Sequence, residues 1–355
     1  MQVFFTPGPA QLYPTFETHL QQAVREQIGS ISHRSKQFRS TYQFAVEQLR
    51  ELMHIPADRA ILFTGSATEI WERIIQNCVE NESAHFVNGS FSKRFYEFSV
   101  EIGKKAQKFE VPFGQGFDIS QHTISDTAEL VCLTHNETSS GVSMPVADIH
   151  SFKKSYPSKI IAVDMVSSAP YPELNWELVD TAFFSVQKAF GLPAGLGVWI
   201  VNETCLHKAE SLKQKGFYIG THHSLPSLWK SYQNYETPAT PNILAIYLLG
   251  KVVQDMNRTG IATLRKETDE KAALLYNFLK TSDVYSIAVE NEAHRSATVV
   301  VATVENPAEK IAALKEKGLV IGSGYGSFKE KQVRIANFPA TSAEQIEQLI
   351  RTMQA

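Results

Sequence analysis

Cysteine is scarce in this chain. Cys78, Cys132 and Cys205 are three in 355 residues, an odd and scattered set without CxxC spacing. That argues against a disulfide framework and offers no zinc-ligand pattern. An excess of one charge is lacking too, since a formal net charge of −3 gives no electrostatic case for nucleic acid or an anionic membrane. No uninterrupted apolar run is long enough to cross a bilayer. Residues 1–14 have neither a basic n-region nor an apolar core, so they do not read as a signal peptide. Internal repeats and low-complexity segments are missing as well. These exclusions leave a cytoplasmic, metal-independent enzyme or binding protein. At 43% hydrophobic and 20% charged, the composition is ordinary for a globular chain, and the length suggests two domains.

The stretch that organises the chain is residues 184–191, Phe-Ser-Val-Gln-Lys-Ala-Phe-Gly. Residues 181–186 predict a short buried strand, and Lys188 follows in a polar break. Gly191, Pro193, Gly195 and Gly197 then keep the backbone turning until residues 198–201 begin another strand. Burial at such a strand mouth lowers a lysine's pKa and frees its amine as a nucleophile. A strand-end lysine snorkelling to water is the other reading, and the stretch alone leaves both open.

Around it, apolar runs alternate with helical spacing. Residues 4–14, with three prolines and a glycine, predict an extended arm. Residues 15–28 have helical spacing, and residues 29–35 form a small polar loop holding His33 and Arg34. Residues 38–53 predict an amphipathic helix with Phe44, Leu49 and Leu52 on one side. Residues 60–64 are a buried strand running into Gly65-Ser66-Ala67-Thr68 and then a helix over 70–79. Strand, small-residue turn and helix present backbone N–H groups to an anion, although Ser66 or Thr68 as an ordinary N-cap reads equally simply. Further strands are expected at 85–87, 130–134 and 159–163, with Phe91 in the turn before a helix from Arg94. Residues 208–240 read as long and irregular, and helices follow at 243–257 and 267–280. The tail alternates strand and helix at 297–304, 307–317, 332–337 and 342–353. Arg334 on the third of these needs an anionic partner if it faces inward. The pattern predicts an α/β fold with a mostly parallel sheet, its functional loops at the carboxyl ends of the strands, and a smaller α+β part.

Ser66, Ala67, Thr68, Phe91, Asp164 and Lys188 fall at strand ends in that order. An anion cradle, a flat ring, a carboxylate and an amine are the parts that pyridoxal phosphate chemistry requires. Here the chain resembles a known family, the class V aminotransferases of fold type I, and most closely their phosphoserine aminotransferase branch. The likeness runs from Pro7-Gly8-Pro9-Ala10 through Ser32-His33-Arg34-Ser35, Asn136-Glu137-Thr138, Asp164, Ser185-Val186-Gln187-Lys188 and Tyr235-Glu236-Thr237-Pro238 to Val333-Arg334-Ile335. The resemblance implies pyridoxal 5'-phosphate as cofactor, with Lys188 as the Schiff-base lysine and Asp164 on the pyridine nitrogen. It implies Thr138 on the phenolic oxygen, Gln187 near the phosphate and Phe91 where relatives usually carry a stacking tryptophan. Thr237 would reach the cofactor phosphate of the neighbouring subunit in a homodimer with a shared site. His33 and Arg34 would hold a substrate phosphate, and Arg334 the α-carboxylate. Residues 15–250 would form the large cofactor-binding domain, and residues 1–14 with 251–355 the small one.

The implied reaction is transamination between phosphoserine and 2-oxoglutarate, a step of serine biosynthesis. Two departures keep alanine- or serine-glyoxylate exchange open. Thr68 stands where bacterial phosphoserine enzymes often have arginine, and residues 322–327 lack the family's His-Arg pair. Cysteine desulfuration fits less well, because the last cysteine is Cys205 and Gln187 precedes the lysine. A non-catalytic relative is expected to lack the lysine or the aspartate, and both are present.

Overall fold

The computed structural model of the protein describes residues 2–355. Seven strands form its main sheet, in the spatial order Ala60–Thr64, Gly197–Val201, Thr181–Ser185, Ile160–Asp164, Ala128–Thr134, Glu82–Val87 and Lys105–Glu110. All neighbours run parallel except Gly197–Val201, which is antiparallel to both of its own. Five-residue runs such as Ile160–Asp164 and Thr181–Ser185 are buried throughout, as strands covered on both faces must be. Their side chains still alternate between two cores. Ile61, Phe63, Ala182 and Phe184 join one apolar cluster, while Leu62 and Phe183 join the other.

Helices Lys36–Met53 and Ile243–Thr259 pack together over the first cluster. The former starts where Ser35 Oγ accepts from Phe38 N at 3.1 Å, and stops where His54 turns left-handed at φ 51°. Its buried stripe contains Phe38, Tyr42, Ala45, Leu49 and Leu52. The expected Phe44 is only half-buried; it lies against Gly250, where an added Cβ would approach it to 2.9 Å. Helices Ala67–Cys78 and Glu203–Gln214 cover the second cluster.

A second sheet of five strands has the order Val3–Phe5, Leu319–Ser323, Gln332–Ala336, Val299–Val304 and Tyr285–Ile287. It packs through Phe5, Val300 and Ile335 against helices Ile261–Thr281 and Ala343–Gln354, the latter through Leu349. Its edge strand Val3–Phe5 is contributed by the N-terminal arm, paired parallel with Leu319–Ser323.

Three expectations change. Residues 208–240 are not irregular throughout: they take in most of helix Glu203–Gln214 and all of helix Leu225–Tyr232, the latter with proline in its first turn, where the missing N–H costs nothing. Helix Ile261–Thr281 begins six residues before the expected 267, separated from its predecessor by Gly260 alone. The helix expected from Arg94 begins at Ser90. Among the described residues, no helix is long and apolar enough to cross a membrane.

Candidate active site

The carboxyl ends of strands Ala60–Thr64, Ala128–Thr134, Ile160–Asp164 and Thr181–Ser185 open onto a cavity of 550 Å³. Eight of the residues singled out from the sequence border it: Ser66, Ala67, Thr68, Phe91, Thr138, Asp164, Gln187 and Lys188. Parallel strands bring them together because their loops all leave one edge of the sheet.

Lys188 follows strand Thr181–Ser185 by three residues. Its Nζ donates to the carbonyl of Pro7 at 2.5 Å, so the N-terminal arm folds back over the lysine. Ala10 N to Gln187 O at 3.0 Å and Tyr13 N to Gly191 O at 2.8 Å lace the arm along the same loop. Gly8 makes this approach possible, since a Cβ there would lie 2.5 Å from Lys188 Nζ, at a φ of +150°. Burial, and then the nearby Arg334, push the Lys188 amine down to about 8.

Asp164 ends its strand buried. Its Oδ2 accepts from Trp71 Nε1 at 2.9 Å and its Oδ1 from Val166 N at 2.8 Å. Burial nevertheless pushes its carboxyl up to about 7; the two hydrogen bonds and Lys188 oppose the rise.

The turn before helix Ala67–Cys78 is partly committed to its own structure. Ser66 Oγ caps the helix by accepting from Glu69 N at 3.1 Å, and Ala67 N donates to Ser185 Oγ at 2.9 Å. The Ser66 and Thr68 hydroxyls and the positive end of the helix are what it can present to an anion.

Phe91 stands in the first turn of helix Ser90–Glu101 and tilts against Tyr325 at 5.0 Å. Glu137, fully buried beside Thr138, fixes that turn. It accepts from Phe91 N, Ser92 N and Ser92 Oγ at 3.1, 2.8 and 2.8 Å, and from Ser139 N and Oγ at 3.0 and 2.6 Å. Arg334 lies at the rim. Its Nε donates to Ser323 O at 2.7 Å and its Nη1 to Thr138 O at 3.4 Å, with the guanidinium 5.3 Å from the Tyr325 ring centre. Its hydrogen-bond partners are carbonyls, and the nearby Glu137 opposes the effect of burial on the guanidinium.

His33, Arg34 and Thr237 lie elsewhere. Thr240 Oγ1 is 3.4 Å from His33 Nδ1, and Arg34 Nη1 donates to Glu236 Oε2 at 2.5 Å. Arg39 binds the other Glu236 oxygen, so the acid beside Thr237 is held by two guanidiniums and kept below the usual carboxylate range. Thr237 is buried and borders, with Gly65 and His223, a second cleft of 200 Å³; its hydroxyl has no partner among the described residues.

Trp71, Glu137 and Tyr325 shape the cavity region and were not picked out from the sequence. Trp71 falls four residues after Ala67, hence on the same helix face, and that spacing is the signal that could have found it.

Residues 3–349 match the family model described as aminotransferase class-V. The crystal structure of a phosphoserine aminotransferase from Cytophaga hutchinsonii is 51% identical, with a TM-score of 0.98 and 99% of this chain and 98% of that chain covered. A phosphoserine aminotransferase of Rhodococcus opacus is 25% identical over 98% of this chain and 93% of its own. A pyridoxal-phosphate-bound phosphoserine aminotransferase from Trichomonas vaginalis shares the fold at 19% identity and a TM-score of 0.81, with 100% of both chains covered. In sequence and in fold alike, this chain belongs to the class-V aminotransferases.

Proposed function

We propose that the protein is a pyridoxal-phosphate-dependent phosphoserine aminotransferase, converting phosphoserine and 2-oxoglutarate to 3-phosphohydroxypyruvate and glutamate. The observation that carries this reading is the 51% identity to the Cytophaga hutchinsonii enzyme across 99% of the chain.

The residues present fit the cofactor. A cavity of 550 Å³ suits a small aromatic phosphate. Gln187 borders it with a buried amide oxygen that has no partner among the described residues, the kind of atom a native fold leaves for a ligand or water. Ser66, Ala67 and Thr68 would hold the phosphate with Gln187, Phe91 would lie against the ring, Thr138 would meet the phenolic oxygen and Asp164 the ring nitrogen. When bound, pyridoxal phosphate supplies an exchangeable aldehyde and a protonated ring that takes up carbanion charge.

The chain's own groups do the rest. An amine near pKa 8 is partly neutral at physiological pH, so Lys188 can act as a nucleophile and then take the proton from the substrate Cα. Asp164 would present its buried carboxyl where the ring nitrogen would stand. Arg334 binds the α-carboxylate through its paired N–H groups. His33, Arg34 and Thr237 do not border this cavity, and Thr237 lies in the cleft that Gly65 and Glu69 also line; this supports a homodimer in which each chain completes its neighbour's site. There His33 and Arg34 would meet the substrate phosphate, and Thr237 the cofactor phosphate.

A single-turnover absorbance experiment tests the substrate. The cofactor-loaded protein is mixed separately with O-phosphoserine, glutamate, alanine and serine, and loss of the visible cofactor band is followed. Fast conversion by phosphoserine and glutamate alone is the expected result. Conversion by alanine or serine with phosphoserine inert would move the enzyme to glyoxylate-type exchange.

A further inference from the structure

One cavity residue has no part in the chemistry described above. Trp71 lies in helix Ala67–Cys78, buried and bordering the cavity. Its indole N–H donates to one oxygen of Asp164 at 2.9 Å, while Val166 N takes the other oxygen at 2.8 Å. The two donors come from different elements: Val166 from the carboxylate's own loop, Trp71 from a helix 93 residues away in sequence. Neither oxygen is free to turn without breaking one of these bonds. The indole is itself fixed, stacked on Phe95 at 5.8 Å and 17° and meeting Phe98 edge-on at 5.7 Å.

We propose that Trp71 is a positioning residue for the transamination, orienting the Asp164 carboxylate and favouring its anionic form through the indole N–H. The proposal rests on the reading of Asp164 as partner of the cofactor's ring nitrogen. The surroundings explain why a neutral donor matters here. Burial is the largest influence on Asp164 and favours the neutral acid, and Glu137 adds to that. Lys188 opposes it from the adjoining loop. His135, whose backbone N–H donates to the Asp164 carbonyl at 3.0 Å, is pushed by burial to about 4 and brings no charge at neutral pH. With its other neighbours pulling both ways, a donor on each oxygen bears directly on the protonation balance. Phenylalanine at position 71 keeps an aromatic ring for Phe95 and Phe98 but removes the N–H, which the carboxylate uses more than the neutral acid does.

The first arm of the test uses cofactor-free protein, so it does not depend on the role given to Asp164. Tryptophan fluorescence is titrated through neutral pH in the wild type, Trp71→Phe and Asp164→Asn. The proposal expects a step near pH 7 in the wild type that is lost in both variants. The wild type and Asp164→Asn carry this comparison even if Trp71→Phe folds poorly. A step that persists in Asp164→Asn, or no step at all, overturns the proposal. The second arm follows kcat/KM for phosphoserine against pH in the loaded enzyme. Trp71→Phe is expected to move the acid limb up by about one pH unit, with the alkaline limb in place. A fluorescence step that behaves as expected, beside an acid limb that does not move, refutes instead the role of Asp164 on which the proposal rests.

Discussion

Burial pushes the amines of both Lys188 and Lys271 down to about 8, yet their surroundings give them different work. Lys271 donates to the carbonyls of Phe338 and Thr341 at 3.1 and 2.7 Å, a structural arrangement that ties the chain after strand Gln332–Ala336 to helix Ile261–Thr281. Lys188 has one carbonyl partner and borders the cavity that Asp164 also borders. A depressed lysine pKa is therefore a sign of burial, and the cavity is what separates a candidate nucleophile from a tether. Asp164 carries a stability consequence. Its carboxyl, at about 7 in the folded cofactor-free protein, stands above its ordinary 3.8, so the folded state holds the proton more tightly than the unfolded one. Its contribution is full below the ordinary value and is lost as pH rises through the folded one. Cofactor-free wild type is expected to lose on the order of a few kcal/mol from this group between about pH 4 and pH 7. Asp164→Asn, with nothing to ionise, should lack that component. Urea denaturation of both proteins at several pH values measures it, and parallel curves would remove Asp164 as the source.

Elements differ in how far their residues announce them. Strands Ala60–Thr64, Ile160–Asp164 and Thr181–Ser185 are legible because both faces are buried and the residues form short apolar runs bounded by small polar turns. With those strands come the positions of Ser66, Asp164 and Lys188. Helix Ser90–Glu101 is legible only in its later turns. Gly89 gives it no side-chain cap, and its first N–H groups are taken by Ser139 and Glu137, 45 to 49 residues away. Helix Glu203–Gln214 buries Cys205, Ala209 and Leu212 among polar residues, a helical spacing masked by the glycines and prolines that follow it. The arm is legible as extended, but its partners are not, because Leu319–Ser323 lies near the other end of the chain and Lys188 is 181 residues from Pro7. Gly8→Ala tests the arm. The new methyl would collide with the Lys188 amine and at φ +150° would strain the backbone, so the arm and the lysine cannot keep their contact. We expect cofactor loading and transamination to fall by at least about tenfold, with the melting temperature lowered by only a few degrees, as fits a cost of about 1 kcal/mol. Normal loading would show that the arm does not govern the lysine.

At the scale of the whole molecule, the arm joins the smaller sheet to the lysine loop of the larger one. Val3–Phe5 is an edge strand of the first, and residues 7–13 run along residues 187–191 of the second. Arg334 approaches the same cavity from the smaller sheet and donates to Thr138, in the loop that follows strand Ala128–Thr134 of the larger. The site is thus built between the two sheets, which explains why residues from both ends of the chain converge on it. His33, Arg34 and Thr237 are left outside this cavity, and a single chain gives them no shared work with Lys188. The measurement that tests the account most directly is chemical trapping of the cofactor. The loaded enzyme is reduced with borohydride before and after phosphoserine is added, and the modified peptide is mapped by mass spectrometry. The cofactor should be fixed to Lys188 beforehand and released from it once phosphoserine has reacted. Cofactor fixed to Lys271 or any other lysine, or a Lys188 adduct that phosphoserine leaves unchanged, would contradict it.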